Sequence, residues 1–124
     1  MKHSITYLKD ATIVCLEDGK TLIVDGNLEG WYVVFDCDWM IFKQGNRKCE
    51  LNIEEGTTLW RQDEKLHREN DPAVTWGDGS KFWYQHGKYH RDDGPAVIWK
   101  DTEEWWSYGK RLKKPRQQQI CPYS

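Results

Sequence analysis

The sequence predicts an all-β fold of antiparallel β-hairpin repeats, in which one hairpin unit recurs every 23 residues. Short runs of β-branched and aromatic residues are broken every few positions by Gly, Asp or Pro, so no helical periodicity survives. The chain also matches itself at an offset of 23, where residues 65–68 repeat as 88–91 and residues 72–76 repeat as 95–99. An internal match at a fixed offset indicates a repeated structural unit.

The length and composition indicate one compact domain with an aromatic core. The chain has 124 residues, of which 38% are hydrophobic and 31% charged, and it contains eight Trp, six Tyr and three Phe. A domain of this size buries about two-thirds of the surface of its unfolded chain. We expect an amino-terminal β-rich region over residues 1–50, hairpin repeats over 51–114, and a loosely ordered tail over 115–124.

The amino-terminal region should contain two hairpins. Residues 13–16 and 21–24 flank the turn Asp18-Gly19, and residues 31–35 and 39–42 flank residues 36–38. Alternating apolar runs on either side of Asp-Gly are a strong hairpin signal.

In the repeats, turn positions predict which residues face each other. A two-residue turn centred on Asp78-Gly79 would place Val74 opposite Trp83. The same count, with turns centred on residues 101–102 and 55–56, pairs Val97 with Trp106 and Leu51 with Trp60. One sheet face would then carry three aliphatic and three Trp side chains as the core. A second turn is expected at His86-Gly87.

The other face of the repeats is the predicted partner-binding surface. Its aromatic and aliphatic members are Phe82, Tyr84, Tyr89, Ile98 and Trp105, and Arg68 and Arg91 complete the set. Two arrangements are open at this point. The amino-terminal strands could cover this face as a second layer, or the face could be free to meet another protein.

Two His-Arg pairs resemble catalytic groups, but their repetition favours a structural role. His67-Arg68 and His90-Arg91 recur at the repeat period, whereas an active site needs one asymmetric arrangement. We expect them to pair with carboxylates in the neighbouring turns.

No sequence pattern predicts an enzyme, a cofactor or a metal site. A nucleophile elbow, a phosphate-binding loop and a dinucleotide fingerprint are all missing from the sequence. His86 and His90 are four residues apart, but a turn rather than a helix separates them. The four cysteines, Cys15, Cys37, Cys49 and Cys121, have no C-x-x-C spacing, so we interpret them as reduced and mostly buried thiols.

The charge distribution gives a competing hypothesis of nucleic-acid binding. Residues 1–64 contain seven Lys/Arg and twelve Asp/Glu, whereas residues 65–124 contain eleven and eight. Basic residues near the carboxyl end could contact phosphates, namely Lys110, Arg111, Lys113, Lys114 and Arg116. Because the net charge is −2, nucleic acid is the less favoured partner. No run of about 18 apolar residues occurs, so we expect a cytoplasmic protein without membrane insertion.

Residues 82–91, followed by Asp93-Gly94-Pro95-Ala96, resemble MORN-type repeats, in a variant that carries His-Arg-x-x-Gly-Pro-Ala. The resemblance covers residues 51–112, although Asp71 replaces the glycine in the first copy. It implies an elongated antiparallel sheet that binds proteins or lipids, without a catalytic residue. Related repeats occur in bacterial and phage proteins and in antitoxin-like or immunity-like proteins.

The resemblance, the aromatic face and the missing catalytic motifs together predict a non-enzymatic protein-binding module. We expect it to inhibit its partner protein, as an antitoxin, an immunity protein or a phage anti-defence protein would. In a phage-encoded protein, the host cytoplasm would be the compartment.

Overall fold

The computed structural model describes residues 3–113, which form fifteen β-strands and no helix. The strands are β1 (His3–Leu8), β2 (Ala11–Leu16), β3 (Thr21–Asp25), β4 (Tyr32–Asp36), β5 (Trp39–Gln44), β6 (Arg47–Asn52), β7 (Thr57–Gln62), β8 (Lys65–Leu66), β9 (Val74–Thr75), β10 (Lys81–Phe82), β11 (Tyr84–Gln85), β12 (Lys88–Tyr89), β13 (Val97–Trp99), β14 (Thr102–Ser107) and β15 (Lys110–Leu112). The predicted tail at 115–124 lies outside the described residues.

All strand pairs are antiparallel, which confirms the predicted all-β hairpin fold. Three strands form a small sheet in the order β1-β2-β3. A ten-stranded sheet follows the order β15-β14-β13-β10-β9-β7-β6-β5-β4, with β8 attached to β7, and β11 and β12 form a separate hairpin. Both amino-terminal hairpins and the turn at His86-Gly87 lie where the sequence predicts them.

The main core lies between the small sheet and the first half of the large sheet. Its buried members are Val14, Val24, Leu28, Met40, Phe42, Cys49, Leu51, Trp60 and Ala73. Because these side chains come from both sheets, the first three strands stabilise the large sheet by covering one of its faces. The large sheet continues without a break across residue 50, so the boundary predicted there falls inside β6.

A second apolar cluster lies on the opposite face of the large sheet. Val74, Phe82 and Val97 are its buried members. Successive residues of a strand point to opposite faces, and β7 shows this directly. Trp60 belongs to the main core, whereas its neighbour Leu59 packs against the second cluster.

The predicted partner of Val74 is wrong by one residue. Val74 lies opposite Phe82, not Trp83. The turn contains three residues, 77–79, because the backbone N–H of Gly79 bonds to the carbonyl of Trp76 and Gly79 adopts a φ of +92°. A shift of one position exchanges the two faces. Phe82 therefore enters the second cluster, and Trp83 points to the other side of the sheet.

The other two predicted pairs are wrong by two residues. Val97 lies opposite Glu104, and Leu51 lies opposite Thr58. The turns occupy residues 100–101 and 53–56, so each turn centre lies one residue earlier than predicted. A shift of two keeps each side chain on its face. Trp106 thus stays beside Val97 and Trp60 beside Leu51, but the two pairs face opposite sides, and no single Trp ladder forms.

Candidate functional site

The two His-Arg pairs hold neighbouring repeats together. The ring Nδ1 of His67 accepts a hydrogen bond from the backbone N–H of His86 at 2.9 Å, and its Nε2 lies 2.6 Å from the carboxylate of Glu69. His90 repeats the arrangement with the N–H of Tyr108 at 3.1 Å and the carboxylate of Asp92 at 2.9 Å. An accepting Nδ1 leaves the proton on Nε2, so both ring nitrogens are engaged inside the protein.

Each arginine of these pairs lies over a Trp ring of its own repeat. The guanidinium carbon of Arg68 is 4.1 Å from the centre of the Trp60 ring, and that of Arg91 is 3.9 Å from the centre of the Trp83 ring. Arg68 also bonds to the Pro72 carbonyl and pairs with Asp25; Arg91 bonds to the Pro95 carbonyl and pairs with Asp93. Both arginines therefore stabilise the fold through contacts within the protein.

The predicted partner-binding residues do not share one exposed face. Phe82 and Trp105 are buried, at 8% and 7% exposure. Tyr84 and Tyr89 are half-buried against the second cluster together with Phe82. Ile98 lies opposite Lys81, on the other side of the sheet. The exchanged faces of β10 are the physical reason that this prediction fails.

Three of the five residues of the predicted basic surface lie within the described range. Lys110, Arg111 and Lys113 are exposed, whereas Lys114 and Arg116 lie outside the described residues. Arg111 lies 3.9 Å from Glu104, and the neighbouring cavity is lined by Asp101, Glu103 and Glu104 as well as by Arg111 and Lys113. These carboxylates would repel a phosphate backbone.

The cysteines and histidines of residues 3–113 form no group of three or more potential metal ligands. The three cysteines in this range are free thiols. Only Cys49 is buried, where burial raises the pKa of its thiol. Cys37 is exposed at the β4–β5 turn, which corrects the expectation of mostly buried thiols.

Five turns come together at one end of the molecule. They comprise residues 17–20, 37–38, 53–56, 77–79 and 100–101. Antiparallel order places alternate turns at the same end of a sheet. Direct contacts support this, because Lys20 donates a hydrogen bond to Glu54, and a Cβ on Gly77 would lie 2.3 Å from the carbonyl oxygen of Glu55. We call this part of the surface the acidic end.

The acidic end carries nine exposed carboxylates and fewer exposed basic side chains. The carboxylates belong to Glu17, Asp18, Asp36, Asp38, Glu54, Glu55, Asp78, Asp101 and Glu103, and the lysines are Lys20, Lys81 and Lys100. At its edge, exposed Arg111 and Lys113 share a cavity with Asp101 and Glu103. The backbone N–H of Ser80 bonds to Asp78 and lowers the pKa of that carboxyl. Eight of these carboxyls lie in or next to a turn and Glu103 lies two residues beyond one, because Asp and Glu are tolerated there and excluded from the core.

An apolar pocket of about 110 Å³ opens within the acidic end. Met40 and Leu51 are its buried lining, at 3% and 0% exposure, and Phe35 is 53% exposed. The remaining lining consists of apolar Leu16, Trp39 and Ile53, the thiol of Cys37, and the carboxylates of Asp38 and Glu54. The pocket therefore combines buried apolar side chains with negative charge.

Two tryptophans are exposed farther along the acidic end. Trp76 and Trp99 are 44% and 45% exposed, and each immediately precedes a turn. They occupy equivalent positions of the 23-residue repeat, two residues after Val74 and Val97, and therefore lie on the face of the second cluster, where the centre of the Trp76 ring is 5.1 Å from that of Phe82. The pocket opens on the opposite face, that of the main core. Tryptophan is among the residues that contribute most to protein–protein binding energy.

The residues of the acidic end are recognisable in the sequence one by one, but their separation along the chain hides that they lie together. Asp36 and Asp38 stand out as acidic turn residues, and Trp76 and Trp99 stand out within the repeat. Counting alternate turns along the meander would have gathered these carboxylates at one end. The pocket itself depends on how the small sheet packs, and no local pattern encodes that packing.

Comparisons with known proteins give no relatives from which to transfer a function. No protein-family model, no curated protein and no solved structure matches the chain. In the described range there is no helix long and apolar enough to span a membrane.

Proposed function

We propose that the chain is a non-enzymatic protein-binding module that inhibits its partner by docking through the acidic end. One observation carries the proposal: two half-exposed Trp side chains and an open apolar pocket occur together at one end of the molecule. Large apolar side chains that a fold leaves exposed in a group are typical of interaction sites.

The dimensions of the acidic end suit a protein rather than a small molecule. Five inter-strand steps separate β5, which lines the pocket, from β13, which carries Trp99. At about 4.8 Å per step, they span roughly 24 Å. Because the pocket and Trp99 lie on opposite faces of the sheet, a partner that contacts both must extend across this end of it, and it would cover an area comparable with an ordinary protein–protein interface.

The experiment begins with capture of partners on the immobilised full chain and their identification by mass spectrometry. Calorimetry then measures binding of one purified partner to the native chain and to the Trp76→Ser/Trp99→Ser variant. We expect the variant to bind at least tenfold more weakly, and the native chain to reduce the partner's activity at equimolar concentration.

The control variant is Leu8→Ser/Tyr32→Ser, which removes two side chains that are 47% and 72% exposed at the opposite end. It should bind like the native chain. Equal affinities for all three proteins would refute docking through the acidic end, and unaltered activity of the bound partner would refute inhibition.

The competing nucleic-acid function has weaker support. It depends on exposed Lys110, Arg111 and Lys113, of which Arg111 and Lys113 line a cavity together with three carboxylates. Binding of single-stranded DNA that falls steeply with salt and is lost in Lys110→Ala/Lys113→Ala would favour it over the protein-binding proposal.

A further inference from the structure

We propose that the apolar pocket of the acidic end receives one apolar side chain from a basic segment of the partner protein. This inference rests on the proposed function and specifies the chemistry of the partner. It assigns the pocket as an anchor site and the surrounding carboxylates as contacts for lysine and arginine.

The pocket has the size and lining for an aliphatic side chain. Its volume of about 110 Å³ is far below that of ordinary small-molecule sites, which begin near 300 Å³. Met40 and Leu51 are buried, and partly buried Leu16 and Ile53 also line the pocket. A leucine or methionine that enters would replace water against apolar atoms, which is favourable in proportion to the area covered.

The charge around the pocket determines which charge the rest of the partner's segment should carry. Asp38 and Glu54 line the pocket, and Asp36 and Glu55 are exposed beside them. Charges of one sign around a cleft attract a partner of the opposite charge and repel a partner of the same charge. An acidic or neutral segment would therefore bind more weakly than a basic one that carries the same apolar side chain.

An internal contact already shows the expected type of interaction. The Nζ atom of Lys20 donates a hydrogen bond to the Glu54 carboxylate at the pocket, although the two residues are far apart in sequence. This contact raises the pKa of Lys20. A lysine of the partner would meet Asp36, Asp38 or Glu55 in the same way, since no ion pair to these three carboxylates forms within residues 3–113.

Peptide binding to the full chain tests the inference. The probe is an eight-residue peptide of lysines and arginines with one central leucine, and fluorescence anisotropy measures its affinity. Replacing the leucine with serine should weaken binding roughly tenfold, because it removes the buried aliphatic group. A glutamate-rich peptide with the same leucine should bind at least tenfold more weakly still, and added salt should reduce the difference.

Variants locate the binding site. Asp38→Lys/Glu55→Lys should abolish preference for the basic peptide, whereas Asp10→Lys/Glu29→Lys makes the same charge change at exposed positions of the opposite end and should preserve it. Alkylation of exposed Cys37, which also lines the pocket, should block the leucine peptide and not alter the serine peptide. Buried Cys49 is inaccessible to the reagent, and Cys15→Ser removes the remaining described thiol.

The outcomes separate this inference from the proposed function. Equal binding of the leucine and serine peptides, or of the basic and acidic peptides, overturns the inference. If the basic peptide does not bind, but a captured protein still depends on Trp76 and Trp99, the inference fails and the proposed function stands. If neither dependence is found, both are wrong.

Discussion

The ring Nδ1 of His67 accepts the backbone N–H of His86 at 2.9 Å, and this bond connects one repeat to the next. The donor belongs to a turn in which His86 and Gly87 both have positive φ, at 51° and 81°. The two His rings also lie 4.5 Å apart. A buried side chain of one repeat thereby fixes the strained turn of the following repeat.

We expect His67→Ala to lower the free energy of unfolding by about 1–3 kcal/mol, because the N–H of His86 loses its acceptor. Urea denaturation followed by Trp fluorescence measures the change. His67→Asn is the matched control, because its side-chain oxygen can occupy the position of Nδ1. The role of this bond would be disproved if both variants lost the same stability.

The register of β9 and β10 predicts which residues are energetically coupled. Val74 and Phe82 lie opposite each other in the second cluster, whereas Trp83 points to the other face under Arg91. Phe82→Ala and Trp83→Ala should each cost about 3–5 kcal/mol, because both side chains are 8% exposed. Single variants therefore do not distinguish the two registers.

A double-mutant cycle does distinguish them. Val74→Ala combined with Phe82→Ala should show a coupling energy of about 0.5–2 kcal/mol, and Val74→Ala combined with Trp83→Ala a value near zero. Tyr32→Ala, which truncates a side chain that is 72% exposed, provides the control with a cost below about 1 kcal/mol. Stronger coupling of Val74 to Trp83 would instead support the register with a two-residue turn.

Residue patterns predicted strand existence well and strand register poorly. The hairpins around Asp18-Gly19 and His86-Gly87 form as expected, because both contain a glycine at positive φ within a short turn. At Gly77-Asp78-Gly79 the two glycines permit either a two-residue or a three-residue turn. In the structure Gly77 lies against the backbone of the neighbouring turn at Glu55, and the local sequence does not contain that contact.

The candidate site was less predictable than the fold because it is assembled from residues distant in sequence. The pocket unites Leu16 of β2, Phe35 of β4 and Ile53 beyond β6. The His-Arg pairs, by contrast, interact mainly with nearby turns and the adjacent repeat, so their predicted pairing with turn carboxylates is confirmed by Glu69 and Asp92.

Close packing of two turns at the acidic end can be tested at Gly77. A Cβ there would lie 2.3 Å from the carbonyl oxygen of Glu55, so one backbone must move. Gly77→Ala should lower the free energy of unfolding by about 1–3 kcal/mol and shift the NMR resonances of Glu55 and Gly56. Gly79→Ala also introduces strain, since φ is +92°, but its Cβ meets no atom within 4 Å. Its shifts should remain within residues 76–80, and shifts at Glu55 as large as those of Gly77→Ala would contradict this packing.

An ion pair at the end opposite the acidic end predicts a pH dependence of stability. The Lys48 ammonium lies 2.7 Å from the Glu64 carboxylate, and its hydrogen bond lowers the pKa of that carboxyl below the usual value. Because the folded pKa lies below the unfolded one, the pair stabilises the fold above the unfolded pKa, and the contribution is lost as pH falls through the folded pKa.

Lys48→Met should therefore make stability fall less steeply between about pH 5 and about pH 3, and Lys48→Arg should behave like the native chain. Urea denaturation at a series of pH values measures the slope, and NMR titration follows the Glu64 carboxyl directly. In 1 M salt the native chain and Lys48→Met should converge, since an exposed pair is screened. An unchanged Glu64 titration in Lys48→Met would exclude the pair as the cause.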